Sequence, residues 1–151
     1  MRSIMRGVEF KRTSDVEAPL SKLFNKINLE EYNWVVLENE IVRNNVNLDL
    51  PDVIYGEQFK EVLFGQNDMI IFLNIQAYPK NSNPAEIANY NDYLNSECEI
   101  VFLITDLYWV EVYAKNKNIL YQFIENGDQC LCKDNKIRTD QQDGRTRFTI
   151  W

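Results

Sequence analysis

Residues 98–115 read "CEIVFLITDLYWVEVYAK". The first half, Cys98 to Thr105, is apolar on both faces, as a strand in the middle of a sheet would be. The second half alternates. Val110, Val112 and Ala114 fall on one face, and Trp109, Glu111, Tyr113 and Lys115 on the other. Only Asp106, Leu107 and Tyr108 separate the two runs. Parallel strands need a crossover of a dozen or more residues. The pair must therefore be an antiparallel hairpin, and it decides against a doubly wound parallel fold.

Outward from the hairpin, strands and helices are mixed. "DMIIFLNIQAYP" begins apolar on both faces and turns half-polar at Asn74 and Gln76, which predicts another interior strand. "YNWVVLE" is rich in β-formers, and "SIMRGVEF" reads as a first strand with Gly7 as a bulge. Asn44-Asn45 suits a hairpin or an irregular loop. Leu20, Leu23, Phe24 and Ile27 recur at helical spacing behind Pro19. "GEQFKEVLFG" predicts a short helix with Phe59, Val62 and Leu63 inward and Gly65 at its stop. "NPAEIANYNDYLNSE" predicts a helix capped by Asn83 with Pro84 at its first position. "NILYQFIENG" predicts one with Ile119, Leu120, Phe123 and Ile124 inward, ending before Gly127. A short strand is expected at Cys130–Cys132 and a last one in "RTRFTIW". The result is an α+β fold: residues 1–151 as a single domain, a mainly antiparallel sheet with three to four helices packed on it. A chain of this length buries about 69% of its unfolded surface, enough for a core without staples.

Composition excludes several chemistries. The 151 residues contain no histidine. That removes Ser-His-Asp and Cys-His nucleophilic sites, His-ligated metals and a histidine pH switch. Neither G-x-G-x-x-G nor a Walker-type phosphate loop is present, so no cofactor is expected. Three cysteines, with no apolar run behind the basic N-terminus to act as a secretory signal, predict free thiols, a cytoplasmic protein and no metal centre. No apolar run reaches membrane-spanning length, so no membrane partner is expected.

The net charge of −7 is unevenly spread. Residues 27–114 hold 15 acidic side chains against three basic ones, a balance of −12, while the two ends together carry +5. An acidic body of this kind argues against a nucleic-acid surface, which needs clustered Lys and Arg. It suits a basic protein as partner.

The chain resembles a family of small proteins from low-GC Gram-positive bacteria known only as a domain of unknown function. The likeness rests on "RGVEF", "YNWVV", "FLNIQAYP", "YNDYLNSECEIVFLITDLYWVEVYAK" and the terminal "DGRTRFTIW". It implies a compact intracellular bacterial domain and no chemistry.

The candidate partner- or anion-binding residues are Asp106, Tyr108, Trp109, Glu111, Arg145, Arg147 and Trp151. Asp106, Tyr108 and Trp109 stand at the hairpin tip, where exposed aromatics would anchor a contact. In a terminal strand Arg145, Arg147 and Trp151 share one face. If that strand lies beside Trp109–Lys115, Glu111 and the arginines form an ion-pair ladder, each pair contributing about 0.2–1 kcal/mol. Otherwise the arginines form an anion or partner site beside Trp109. No catalytic residue is marked. The expected function is a non-catalytic protein-binding domain, an immunity- or antitoxin-like partner of a basic protein. The alternative is a histidine-independent small-ligand-binding protein or enzyme using Arg, Tyr or carboxylate residues. A flat acidic face with exposed aromatics favours the first, and a deep pocket with convergent polar groups the second.

Thiol titration of the unfolded protein without reductant is expected to find three free sulfhydryls, at Cys98, Cys130 and Cys132. A count of one would mean a bridge and overturn the cytoplasmic expectation.

Overall fold

The computed structural model describes residues 5–11, 19–65, 67–129 and 133–139. Its strands are β1 (Met5–Lys11), β2 (Tyr32–Arg43), β3 (Val46–Asn47), β4 (Val53–Tyr55), β5 (Asp68–Pro79), β6 (Ile100–Thr105), β7 (Trp109–Ala114) and β8 (Lys133–Thr139). Its helices are α1 (Pro19–Leu23), α2 (Phe59–Leu63), α3 (Tyr90–Asn95) and α4 (Lys117–Gln129). All described strands join one sheet in the order β3-β2-β5-β6-β7-β1-β8, with β4 also pairing β2. Every pairing is antiparallel. The α+β class expected from the hairpin is the class observed.

The β6–β7 hairpin pairs Thr105 with Trp109 and Ile100 with Ala114, and both strands lie inside the sheet. Asn44 and Asn45 both have positive φ, 52° and 64°. Asparagine tolerates this conformation, and the right-handed twist of a two-residue β-hairpin requires it. Gly7 is needed for a different reason. A Cβ there would stand 2.3 Å from the Val112 carbonyl oxygen. β1 also shifts register against β8 between Met5 and Gly7, which agrees with the expected bulge.

One face of the sheet carries the main core. Val8, Phe10, Trp34, Leu73, Ile75, Ala77, Phe102, Ile104, Val110 and Val112 meet Leu20, Leu23 and Phe24 at α1, Phe59 and Leu63 of α2, and Leu120 and Phe123 of α4. Phe24 is the hub. Its ring centroid lies 5.5 Å from Trp34, 5.1 Å from Phe59, 4.6 Å from Phe102 and 5.2 Å from Phe123. Arg43 ties the end of α2 to the sheet. It donates to both carboxylate oxygens of Asp68 at 2.7 and 2.8 Å and to the Val62 carbonyl at 2.9 Å.

Four expectations are corrected or left open. The helix expected from Asn83 begins only at Tyr90. Its cap is Asn89, whose side chain accepts from the Asp92 N–H at 2.9 Å, while Asp92 accepts from the Ala88 N–H at 3.0 Å. Residues 84–88 form no helix, and the Tyr78 hydroxyl accepts the Ala85 N–H at 3.2 Å with the Ala85 carbonyl also 3.2 Å away. That tertiary contact removes groups a helix would use. Gly127 lies inside α4 rather than after it; a Cβ there would meet the Phe10 ring at 3.0 Å, so glycine lets the helix sit close on β1. A strand follows α4, but as β8 at Lys133–Thr139; the expected Cys130–Cys132 strand lies outside the described residues. So does the terminal strand with Arg145, Arg147, Phe148, Ile150 and Trp151.

Phe24→Ala is expected to cost about 3–5 kcal/mol, the range for truncating a buried aromatic, because four rings lose their common contact. Chemical denaturation measures it; a loss under about 1 kcal/mol would show that the hub repacks freely.

Candidate partner-binding face

The second face of the sheet positions every described candidate residue. On β7 it presents Trp109, Glu111 and Tyr113; on β6 Val101, Leu103 and Thr105; on β5 Phe72, Asn74, Gln76 and Tyr78. β1 adds Gly7, Glu9 and Lys11, since Val8 and Phe10 point into the main core. β2 adds Val35, Glu38 and Glu40.

One half of this face is covered. The 80–99 connection folds back over it, and Tyr78, Tyr93, Cys98, Val101, Leu103 and Tyr113 form a second apolar cluster with Ile87 and Tyr90 at its rim. Polar groups in this half are spent on structure. The Tyr78 hydroxyl donates to Gln76 at 2.9 Å, and the Tyr93 hydroxyl donates to the Glu99 carbonyl at 2.8 Å. Lys115 donates to the Ser96 carbonyl at 2.6 Å, with its ammonium 5.0 Å over the Tyr93 ring. Burial pushes the Cys98 thiol up to about 12. A neutral, buried thiol is a packing group, not a nucleophile.

The other half is open. Two bulges shape it. Leu37 is an extra residue in β2 between the Val36–Ile75 and Glu38–Asn74 pairs, and Ile71 is an extra residue in β5 between Phe72 and Ile70. Bulges twist and redirect a strand. Leu37, Glu38, Asn39 and Glu40 are all exposed. The Ile71 carbonyl accepts the Leu107 N–H at 3.2 Å, which fastens the β6–β7 hairpin tip beside β5. Asp106 and Leu107 hold positive φ, 50° and 71°. Leucine pays a steric cost there, so the tip is over-determined by its contacts. The open half therefore presents exposed Met69 (48%) and Trp109 (41%), half-buried Phe72 and the carboxylates of Glu38 and Glu40, with Leu37 (49%) at the β2 bulge and Asp106, Leu107 and Tyr108 at the hairpin tip.

The predicted residues divide accordingly. Asp106, Tyr108 and Trp109 sit together at this surface, and the Lys11 ammonium stands 5.7 Å over the Trp109 ring. Glu111 is 4% exposed and belongs to the buried part of the same face. Its register neighbours are Leu103 and Glu9. Both edges of β7 are taken by β6 and β1. Arg145, Arg147 and Trp151 themselves lie outside the described residues. Sequence reasoning missed Leu37, Glu38, Glu40, Met69 and Phe72. The one signal for this part of the face was the half-polar turn of β5 at Asn74.

Elsewhere a cavity of about 330 Å³ between α1 and α4 is lined by Ser21, Lys22, Asn25, Asn126 and Gln129. The Asn126 amide is already spent there, donating to the Leu23 and Asn25 carbonyls at 2.8 and 2.7 Å. Among the described residues no three Cys, Asp or Glu side chains are placed to hold a metal ion. No described helix is long and apolar enough to cross a membrane.

Fold and face together define a small antiparallel α+β domain with one sheet face half covered by its own chain. The chain belongs to the family described as "Protein of unknown function (DUF2691)", whose model matches residues 5–149. It is similar to "Uncharacterized protein YncE" of Bacillus subtilis (strain 168), with 28% identity over 152 residues, covering 96% of this chain and 99% of the relative. The resemblance to a family of unknown function from low-GC Gram-positive bacteria holds. No solved structure matches.

The Cys98 thiol sets an alkaline limit. It is neutral in the folded state up to about 12, whereas the unfolded thiol ionises near 9.0. The unfolded state then binds fewer protons, so this contribution is fully present below pH 9 and is lost as pH rises toward 12. Cys98→Ala is expected to flatten the fall of stability in that window, read by denaturation at a series of pH values. An unchanged slope would show that Cys98 does not titrate on unfolding.

Proposed function

We propose that this protein is a non-catalytic protein-binding domain whose docking surface is the open half of the second sheet face. The partner is a basic protein, in the manner of an immunity protein or antitoxin. The observation that carries this reading is that Met69, Trp109, Glu38 and Glu40 are all exposed on one side of the sheet, with Leu37 exposed at the β2 bulge and Asp106 at the hairpin tip. Apolar anchors ringed by charge are the anatomy of a protein interface. The acidic middle of the chain supplies long-range attraction for a basic partner, which raises association rate and makes it salt-sensitive. The surface stands on strands rather than on a free loop, so little ordering is lost on binding.

Capture from host lysate tests this with the wild type, Glu38→Gln/Glu40→Gln and Met69→Ala/Trp109→Ala side by side. Basic proteins retained by the wild type at low salt are expected to fall away at high salt and to be lost by both double variants, while all three melt within a few degrees. An identical captured set for all three would remove this face as the interface.

A further inference from the structure

We propose that Asn126–Gly127, near the end of α4, is a deamidation site held unreactive by the fold, and that its conversion irreversibly breaks the contact between α4 and α1.

Two separate packing demands place this dipeptide. Asn126 is 1% exposed. Its side-chain amide donates to the Leu23 carbonyl at 2.8 Å and to the Asn25 carbonyl at 2.7 Å, while its Oδ1 accepts from the Gln122 amide at 2.9 Å. The last carbonyls of a helix have no partner within it. α1 ends at Leu23, and the chain turns at Lys26 with φ 65°. Asn126 therefore supplies from α4 the partners that the end of α1 lacks. Among short side chains only an amide carries both donors and an acceptor for this task. The residue after it must lack a Cβ, which would stand 3.0 Å from the Phe10 ring. Asparagine and glycine are each required. Side by side they form the dipeptide most prone to lose ammonia, because glycine puts no side chain in the way of the attacking nitrogen. Asn126 is the only asparagine of the chain followed by glycine.

The reaction needs no reagent but water. The Gly127 backbone nitrogen bonds to the Asn126 side-chain carbon and gives up its proton. The bond from that carbon to the amide nitrogen breaks, and ammonia leaves. Water then opens the cyclic imide at either carbonyl, giving Asp or isoAsp. In the closed fold this is blocked. Helical ψ, about −42°, keeps the Gly127 nitrogen away from the Asn126 side-chain carbon, and the two carbonyls hold the amide elsewhere. Asn126 must leave both before the ring can close. The product cannot resume its place. A carboxylate accepts and does not donate. It can keep the Gln122 amide, but it meets the Leu23 and Asn25 oxygens as one acceptor facing two others. IsoAsp also lengthens the backbone inside the last turns of α4. Phe24, the hub of the core, lies between the two abandoned carbonyls.

Peptide mass spectrometry of the full chain tests this by following amide-to-acid conversion at each asparagine at mildly alkaline pH. It is run in buffer, in urea below the unfolding transition and in urea above it. In the unfolded chain Asn126 is expected to convert ahead of every other asparagine. In buffer it should be slower by about tenfold or more, since only the opened fraction reacts. Urea below the transition should already speed it, because opening the end of α4 needs less than global unfolding. Hydrogen exchange of the deamidated protein, and of Asn126→Asp, should be about tenfold faster at Phe24, Ile27 and the end of α4, with β5, β6 and β7 unchanged. If Asn126→Asp does not fold, the kinetics of the wild-type chain decide alone. Another asparagine converting first in the unfolded chain, or equal rates at Asn126 in buffer and in strong urea, overturns the site. A rate unmoved by urea until the global transition, or a deamidated protein whose α1 and α4 exchange as before, overturns the latch.

Discussion

Phe24 holds the fold together. Its ring lies within 4.6–5.5 Å of Trp34, Phe59, Phe102 and Phe123, which belong to β2, α2, β6 and α4. Dispersion contacts are individually weak and add up only where rings are packed on all sides. Three helices can share one aromatic hub only by lying on the same side of the sheet. That choice leaves the opposite face with α3 alone of the described helices. The 80–99 connection covers half of it, held down by the Tyr78 hydroxyl at Ala85 and by Lys115 at Ser96. The remaining half keeps its apolar side chains in water because no further described segment lies over them. The exposure of Leu37, Met69 and Trp109 goes with where the core was placed.

Topology also turns a pattern in the sequence into a pattern in space. The basic ends of the chain supply β1 and β8, which are neighbours at one edge of the sheet. The acidic middle supplies β2 and β3 at the other edge. Glu38 and Glu40 stand at the acidic side, and Lys11 at the basic side, of one continuous face. A charged molecule that met this face would be attracted at one end and repelled at the other.

What was legible in the sequence follows from how local each signal is. Periodicity located β5, β6 and β7, because apolar runs and strict alternation report burial directly. The spacing Leu20, Leu23, Phe24 and Ile27 predicted a buried face, and all four are buried although α1 itself spans only Pro19–Leu23. Asn83-Pro84 misled, because a good local start signal lost to a tyrosine hydroxyl distant in the fold. β8 was missed because "KDNKIRT" carries a single large apolar residue, and an edge strand needs little burial. At the candidate site, Asp106, Tyr108 and Trp109 were visible as a hairpin tip. Their neighbours were not. Glu40 meets Phe72 and Glu38 meets Asn74 only through the register of β2 with β5, and two bulges set that register. No short window of sequence encodes such a pairing.

The hairpin tip is fastened to the sheet beside one of the bulges. In an unbroken ladder the Ile71 carbonyl would have a neighbouring strand as its partner. Here the Leu107 N–H, just past β6, takes it at 3.2 Å. This single bond stands at the one position where a leucine is held at φ 71°. A side chain with a branched body disfavours that conformation by about 1–2 kcal/mol, so the turn would relax if its N–H were released. Strain at the tip and extra length in β5 are therefore two sides of one arrangement. It places Trp109 and Asp106 beside Phe72 and Met69, and it makes the face a part of the sheet rather than a loop above it.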